Sequence, residues 1–404
     1  MRTVALLALL LALGVGSAQQ ADLSGRAETT FGVSIDGTLP VAAAELALTF
    51  QGEVGSGFYP DASFRATVLA GYDAATGAAR VELDEAFATV YLGQVELSAG
   101  KQRRSWGSTD GVNPVDALNP SDLTFPPDAR KLAVPMFHAD VYADDARVQL
   151  ALVPAFTPSR LPGEAWQAAP EPQLPPGVTL VGVLPPEEQA PAAELANLQF
   201  GARGTLTLGT FDVSGTYFYG FRDQPTLSGR LEPTDSPGQV RLRPVLNYDR
   251  VHLLGLDFSG AVGDVVLRGE GAYLISEDPN GIDATISNHS AQAVLGGEYL
   301  IPGGPRTVVQ AIFDYTAGDA GEPAETTFKL MTALTYQAGM RTNLDLGWVQ
   351  SLDGSGLAMP GVTYAFADGV VGEAKAYLFY GGDGSEFGAW RDNSQLRLGL
   401  AYSF

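Results

Sequence analysis

The C-terminal segment alternates strictly. Leu396, Leu398, Leu400, Tyr402 and Phe404 occupy every second position, separated by Arg397, Gly399, Ala401 and Ser403. A repeat of two is the side-chain repeat of a β-strand, so one face of this segment is apolar and the other polar or small. The pattern recurs upstream. Phe211, Val213, Gly215, Tyr217, Tyr219 and Phe221 form one such row, and Phe328, Leu330, Thr332, Leu334 and Tyr336 another. In the segment with Val265, Leu267, Gly269, Gly271, Tyr273 and Ile275, the opposite face carries Arg268 and Glu270. No long stretch beyond the N-terminal segment has a helical period. The pattern predicts an all-β chain of about 16–18 strands, 18 preferred, each of roughly ten residues, the length of a tilted strand crossing a bilayer.

The connections sort into two kinds. Short ones fall at 93–94, 144–145, 209–210, 263–264, 302–305, 339–340 and 368–369. Longer ones fall at 104–130, 158–194, 223–240, 277–288, 317–325, 351–358 and 381–393. They alternate along the chain, as a transmembrane antiparallel up-and-down β-barrel with short turns at one rim and long loops at the other requires. A soluble β-sandwich gives no reason for that segregation. It also gives no reason for aromatic residues near strand ends, whereas aromatic rings settle at lipid–water interfaces. Tyr72, Tyr91, Tyr219, Tyr299, Tyr315, Tyr336, Trp348, Tyr377 and Tyr402 are the candidates for two such girdles.

Residues 1–18 read as a cleaved signal peptide: Arg2, an apolar stretch over 4–15, then Gly16, Ser17 and Ala18. Residues 19–404 are then one barrel domain. The chain has 46 acidic and 24 basic residues, a net charge of -22, and no cysteine. That balance argues against nucleic acid as a partner, since phosphate binding needs a basic footprint. The lack of cysteine removes disulfide scaffolds and thiolate metal sites.

The leader, the alternating strands, the segregated loops and the terminal Tyr402-Ser403-Phe404 together resemble Gram-negative-type, porin-like outer-membrane β-barrels. The segment 100–122 also resembles a Trp-Gly…Asn-Pro-x-Asp stretch of some porin-like barrels. The resemblance implies a bacterial outer-membrane location, membrane lipid as surroundings and assembly by the outer-membrane barrel machinery, which reads a terminal aromatic. It implies passage of small hydrophilic solutes, and it brings a homotrimer among the assemblies to test. The other readings are a structural or surface-contact barrel (an envelope tether or adhesin) and an exported soluble carbohydrate-binding β-protein.

A lumen wide enough for solutes follows from the strand number. On the polar strand faces, Arg65, Arg203, Arg268, Lys329 and Arg397 are expected to point inward, as are Glu28, Glu82, Glu96, Asp212, Glu270, Asp314 and Asp345. The first long loop is the most distinctive stretch. Asp110, Asn113, Asp116, Asn119 and Asp122 recur every third residue, and Asn113-Pro114 and Asn119-Pro120 read as starts of two helical turns. Loop 104–130 is expected to fold into the lumen or cap it. Arg104, Trp106, Asp110, Asp116, Asp122, Arg65, Arg203, Arg268 and Arg397 form the candidate constriction. The Pro-rich stretch 158–194 is expected to be an extended external loop without a ladder. The net charge favours cations at the pore mouth, and the inward arginines oppose that preference. Three histidines and no Gly-x-Ser-x-Gly motif give no basis for an enzyme, and no cofactor or metal is expected.

Overall fold

The structure, a computed structural model, describes residues 20–404 apart from 36, 56–58, 164–165, 167–173 and 284. The expected leader therefore lies outside the described residues. Among these, eighteen strands form one sheet. They are β1 (Gln20–Ser34), β2 (Val41–Val54), β3 (Ala62–Asp73), β4 (Ala78–Leu92), β5 (Val95–Gln102) and β6 (Val134–Ala143). Next come β7 (Ala146–Val153), β8 (Gln199–Leu208), β9 (Phe211–Phe221), β10 (Arg250–Val262), β11 (Val265–Ser276) and β12 (Ser290–Leu300). The last six are β13 (Arg306–Thr316), β14 (Glu325–Gln337), β15 (Thr342–Ser351), β16 (Gly356–Ala367), β17 (Val370–Tyr380) and β18 (Gln395–Ser403). Each pairs antiparallel with its neighbour in sequence. β1 also pairs with β18, from Arg26↔Ser403 to Ser34↔Gln395, and this closes the barrel. Closure removes every sheet edge.

The first described residue, Gln20, and the C-terminal Phe404 both lie at the short-turn rim. There Phe404 and Gly25 exchange two backbone hydrogen bonds of 2.9 Å. The opposite rim carries residues 103–133, 154–198, 222–249, 277–289, 317–324 and 381–394. The expected longer loop at 351–358 is instead a tight turn over 352–355. Asp353 shortens it by accepting the Ser355 backbone N–H and hydroxyl at 2.8 and 2.6 Å.

The outward face is apolar: Leu254, Leu256, Leu295, Phe313, Leu346 and Leu398 are all exposed. Aromatic girdles form at two levels. Tyr72, Tyr219, Tyr315 and Trp348 lie towards the long-loop ends of their strands, and Tyr299, Tyr336 and Tyr402 towards the short-turn ends. Two expected girdle residues point inward. Tyr377 shares the face of Lys375, and its hydroxyl donates to Asp128. Tyr380, on the other face of β17, accepts from Trp348 Nε1 at 2.7 Å. Tyr91 faces Ser63 across the lumen side, at 2.9 Å, because a bulge in β4 reverses the strand's parity. Register jumps there from Thr67↔Glu85 to Val68↔Leu83. Asp84 is thus the extra residue, and Asp84 and Glu85 both serve the lumen side.

Two external loops carry sheet of their own. Thr179–Val183 and Glu187–Gln189 pair in parallel with Gln239–Asn247, which pairs antiparallel with Thr226–Pro233. The expectation of a ladder-free Pro-rich loop is therefore corrected for residues 179–189. The segment Thr179–Val183 is free of proline, and Pro185 and Pro186 fall in the break between the two short strands.

Candidate functional site

All five cations expected to face inward do so, and each meets a carboxylate. Arg203 makes two bonds to Asp257, at 2.6 and 2.8 Å, with both side chains buried. Arg268 contacts Glu298 at 2.6 Å and Asp110 at 3.0 Å. Lys329 contacts Glu386 and Asp314, Arg397 contacts Asp128, and Arg65 approaches Glu85 at 3.9 Å.

Two of these carboxylates, Asp110 and Asp128, belong to the loop that follows β5. Residues 103–133 enter the barrel and bond to widely separated parts of its wall. Near the start of the loop, Arg103 binds Asp84 at 2.8 Å and Glu85 at 3.2 Å, the two acids of the β4 bulge. The tip reaches β11, where Glu270 accepts the backbone N–H of Ser108 and of Thr109, the latter at 2.5 Å. The segment then returns along the wall. Its Trp106, Val115 and Leu118 form one dry cluster with Val134, Met136, Ala151, Val153, Phe218, Leu253 and Ala272. Glycines on the inward face provide the seat. A Cβ built on Gly255 would sit 2.6 Å from Val115, and one on Gly201 would sit 2.7 Å from Trp106 and 3.0 Å from Leu118. The second half crosses to β17 and β18, where Arg397 donates to the carbonyls of Phe125 and Pro126.

The two expected helical turns do not form. Asn119 Nδ2 donates to the carbonyls of Gln102 and Leu132, and its Oδ1 accepts from Arg104 N. Asp116 accepts from Ser105 Oγ at 3.0 Å and Trp106 N at 3.3 Å. Asn119, one of the two expected caps, is thus committed to cross-links, and at the other, Asn113, the chain makes only a single turn closed by Asp116 N and Asn113 O at 3.3 Å.

On the β2–β4 side Glu82 and Asp122, both expected inside, join a charge network whose other members, Glu45, Arg80, Arg130 and Arg160, the sequence reading did not name. Glu45, Glu82 and Asp122 face Arg80, Arg130 and Arg160. Arg160 comes from the start of the Pro-rich stretch, whose first residues lie inside the lumen. Burial opposes ionisation of Asp122. Hydrogen bonds from Thr124 and the charges of Arg130 and Arg160 outweigh it, so the carboxyl is held below the usual range. The Asp84-Glu85 doublet, which breaks the alternation of Val81 and Leu83, was the available signal for the bulge. Nothing in the sequence marked Arg160.

The nine candidate residues do not form a single ring. Arg104, Trp106 and Arg203 line a polar cavity of about 580 Å³ beneath the loop, together with Arg103, Arg147 and Asp212. Arg268 and Asp110 meet at the loop tip. Arg65 and Asp122 stand on the β2–β4 side, and Arg397 on the β18 wall. Trp106 and Asp116 hold the loop itself. Arg104 bonds Gln102 and Ser98, and among the described residues no carboxylate pairs with it.

No protein-family model matches the chain, and no curated protein matches it either. Solved structures do. Pseudomonas aeruginosa OccK5 (OpdH) is similar with a TM-score of 0.57 and 12% identity, over 96% of this chain and 98% of that one. Pseudomonas aeruginosa OccK11 (OpdR) is similar with a TM-score of 0.54 and 11% identity, over 96% of this chain and 97% of that one. At such identities the likeness is one of fold: these barrels and this chain share their architecture nearly end to end.

Proposed function

We propose that this chain is a porin-like channel of a bacterial outer membrane, passing small hydrophilic solutes by passive diffusion. The observation behind the reading is the loop 103–133, bonded to Glu270 and Arg397 on inward faces of the wall and bordering a polar cavity of about 580 Å³, which we take to narrow the barrel from inside. A closed wall with an apolar outer face and aromatic rims suits lipid, where every backbone group must be satisfied internally. Arg104, Arg203, Arg268, Asp110 and Asp122 are the residues we assign to the pinch, with Arg65 and Arg397 on its flanks. Trp106 and Asp116 are assigned to positioning the loop.

The test is single-channel conductance of the refolded protein in a planar bilayer. Stepwise conductance is expected, and deletion of 108–122 should raise it several-fold. A folded deletion variant with unchanged conductance refutes the constriction. A folded barrel that never conducts favours the second reading, a structural or surface-contact barrel. The observation behind that reading is the external sheet, which leaves Val183 and Leu227 exposed. Assembly as a homotrimer belongs to the same proposal and is read by cross-linking in detergent. So does recognition by the barrel assembly machinery through Phe404, read by the yield of folded protein after its deletion.

A further inference from the structure

The outer surface of the barrel is not uniform. Between β8 and β13 the register places Gly204, Gly215, Leu256, Gly271 and Ala293 side by side on the outward face. The glycines there open onto empty space. A Cβ on Gly204 would meet nothing within 4 Å, one on Gly215 only Leu256 at 3.8 Å, and one on Gly271 only a carbonyl oxygen at 4.0 Å. The result is an apolar trough of about 820 Å³ on the side that would face lipid, flanked by Leu254, Tyr217 and Tyr273. Inside the same wall sector lies the dry loop cluster, so the trough has a packed backing.

Beyond the trough, towards the long-loop rim, the outward surface is chemically different. Along β10 the outward positions run Arg250, His252, Leu254, Leu256 from the long-loop rim inward. Arg250 lies 4.9 Å from the Tyr219 ring centre and 4.2 Å from that of Phe221. The half-buried guanidinium donates from Nη2 to Ala196 O and Asn197 Oδ1, its Nη1 is buried and has no partner, and no carboxylate pairs with it among the described residues. His252 is exposed and bonds Tyr217 Oη at 2.9 Å. A cation, a histidine and tyrosine hydroxyls thus stand at headgroup level above an apolar trough.

We propose that this sector is a seat for one membrane lipid with a phosphorylated headgroup, its acyl chain in the trough and its phosphate at Arg250 and His252. The inference rests on the membrane reading above. An empty trough would forfeit dispersion contacts along its length, and water would find few polar partners in it. A flexible acyl chain fills it. The uncompensated positive charge selects an anionic headgroup.

The experiment is native mass spectrometry of the folded barrel in detergent, titrated with phosphatidylglycerol and, separately, with phosphatidylcholine of the same chains. One phosphatidylglycerol per chain is expected, retained about tenfold better than phosphatidylcholine, because both carry the phosphate and the choline ammonium cancels its charge in the latter. Arg250→Ala with His252→Ala should bring the two lipids level. Gly215→Leu with Ala293→Leu, which fills the trough from open positions, should weaken both. Equal retention of the two lipids by the wild type overturns the proposal, as does undiminished binding by the filled variant. An oligomer that dissociates on filling the trough assigns the sector to a second copy and also overturns it. Bilayer conductance separates the outcomes: a barrel that conducts but retains no lipid fails only this proposal, and one that never inserts fails the membrane reading.

Discussion

Glu270 is the pin of the loop tip, and removing its carboxylate should separate tip from base. Glu270 accepts the N–H groups of Ser108 and Thr109 in a buried setting. In Glu270→Ala both donors lose their acceptor, at about 1–3 kcal/mol each, or about 2–6 kcal/mol together. The neighbouring Asp110–Arg268 pair cannot compensate. The Asp110 side chain is 45% exposed, so the pair contributes about 0–1 kcal/mol. The base is held differently, by burial of Trp106, Val115 and Leu118, about 1.5–3 kcal/mol per side chain. The tip should therefore lift over residues 108–112 while the base stays seated. The assay is open-channel noise and mean conductance in planar bilayers, with limited proteolysis of the tip alongside. Noise and conductance should rise, and cleavage should appear at the tip of a barrel that still runs as a folded band on a detergent gel. Glu270→Gln keeps an acceptor oxygen and should stay near wild type. Wild-type noise and protection in Glu270→Ala would refute the argument, as would a Gln variant as loose as the Ala variant.

Other perturbations follow from the same geometry. Gly255→Val places a side chain where Val115 sits, an overpacking of about 1–3 kcal/mol, and should raise conductance without unfolding the barrel. Asp257→Ala leaves Arg203 buried without its partner and should cost about 3–5 kcal/mol, seen as a lower heat-modification temperature on detergent gels. The double variant Arg203→Met with Asp257→Met should lose much less. Asp353 is held down to about 2 by hydrogen bonds from Ser355 and the Glu386 backbone. A depressed carboxyl contributes stability that is present above its unfolded pKa of about 4 and is lost as pH falls through the folded value. Proteolysis of loop 381–394 should accelerate between about pH 4 and 2 in the wild type, and Asp353→Asn should not show that step. Finally, the five cations expected to face inward are matched by acids, and charges on distant loops are screened within about 8 Å at physiological salt. The reversal potential under a salt gradient should therefore show weak selectivity, despite the net charge of -22.

The covalent sequence by itself determined the strands and their facing. A period of two with charges on one face leaves a strand only one way to sit between an apolar exterior and a wet interior. Arg203, Arg268, Lys329 and Arg397 could therefore be placed inside from the sequence. The segregation of loop lengths gave the up-and-down order for the same local reason. Tyr377 was legible too, had the face of Lys375 been followed instead of the residue type. The tertiary structure alone decided what the loops do. Asn113 and Asn119 carry a local preference for helix caps, yet Asn119 meets Arg104, Gln102 and Leu132, contacts that exist only once the loop lies inside a closed wall. The bulge at Asp84 is likewise a property of pairing, since an extra residue in one strand is defined only against its partner. Arg160 reaches Glu82 and Asp122 across long stretches of chain, and no periodicity encodes a contact of that kind. Local alternation fixes where a side chain points, whereas barrel closure fixes what it meets.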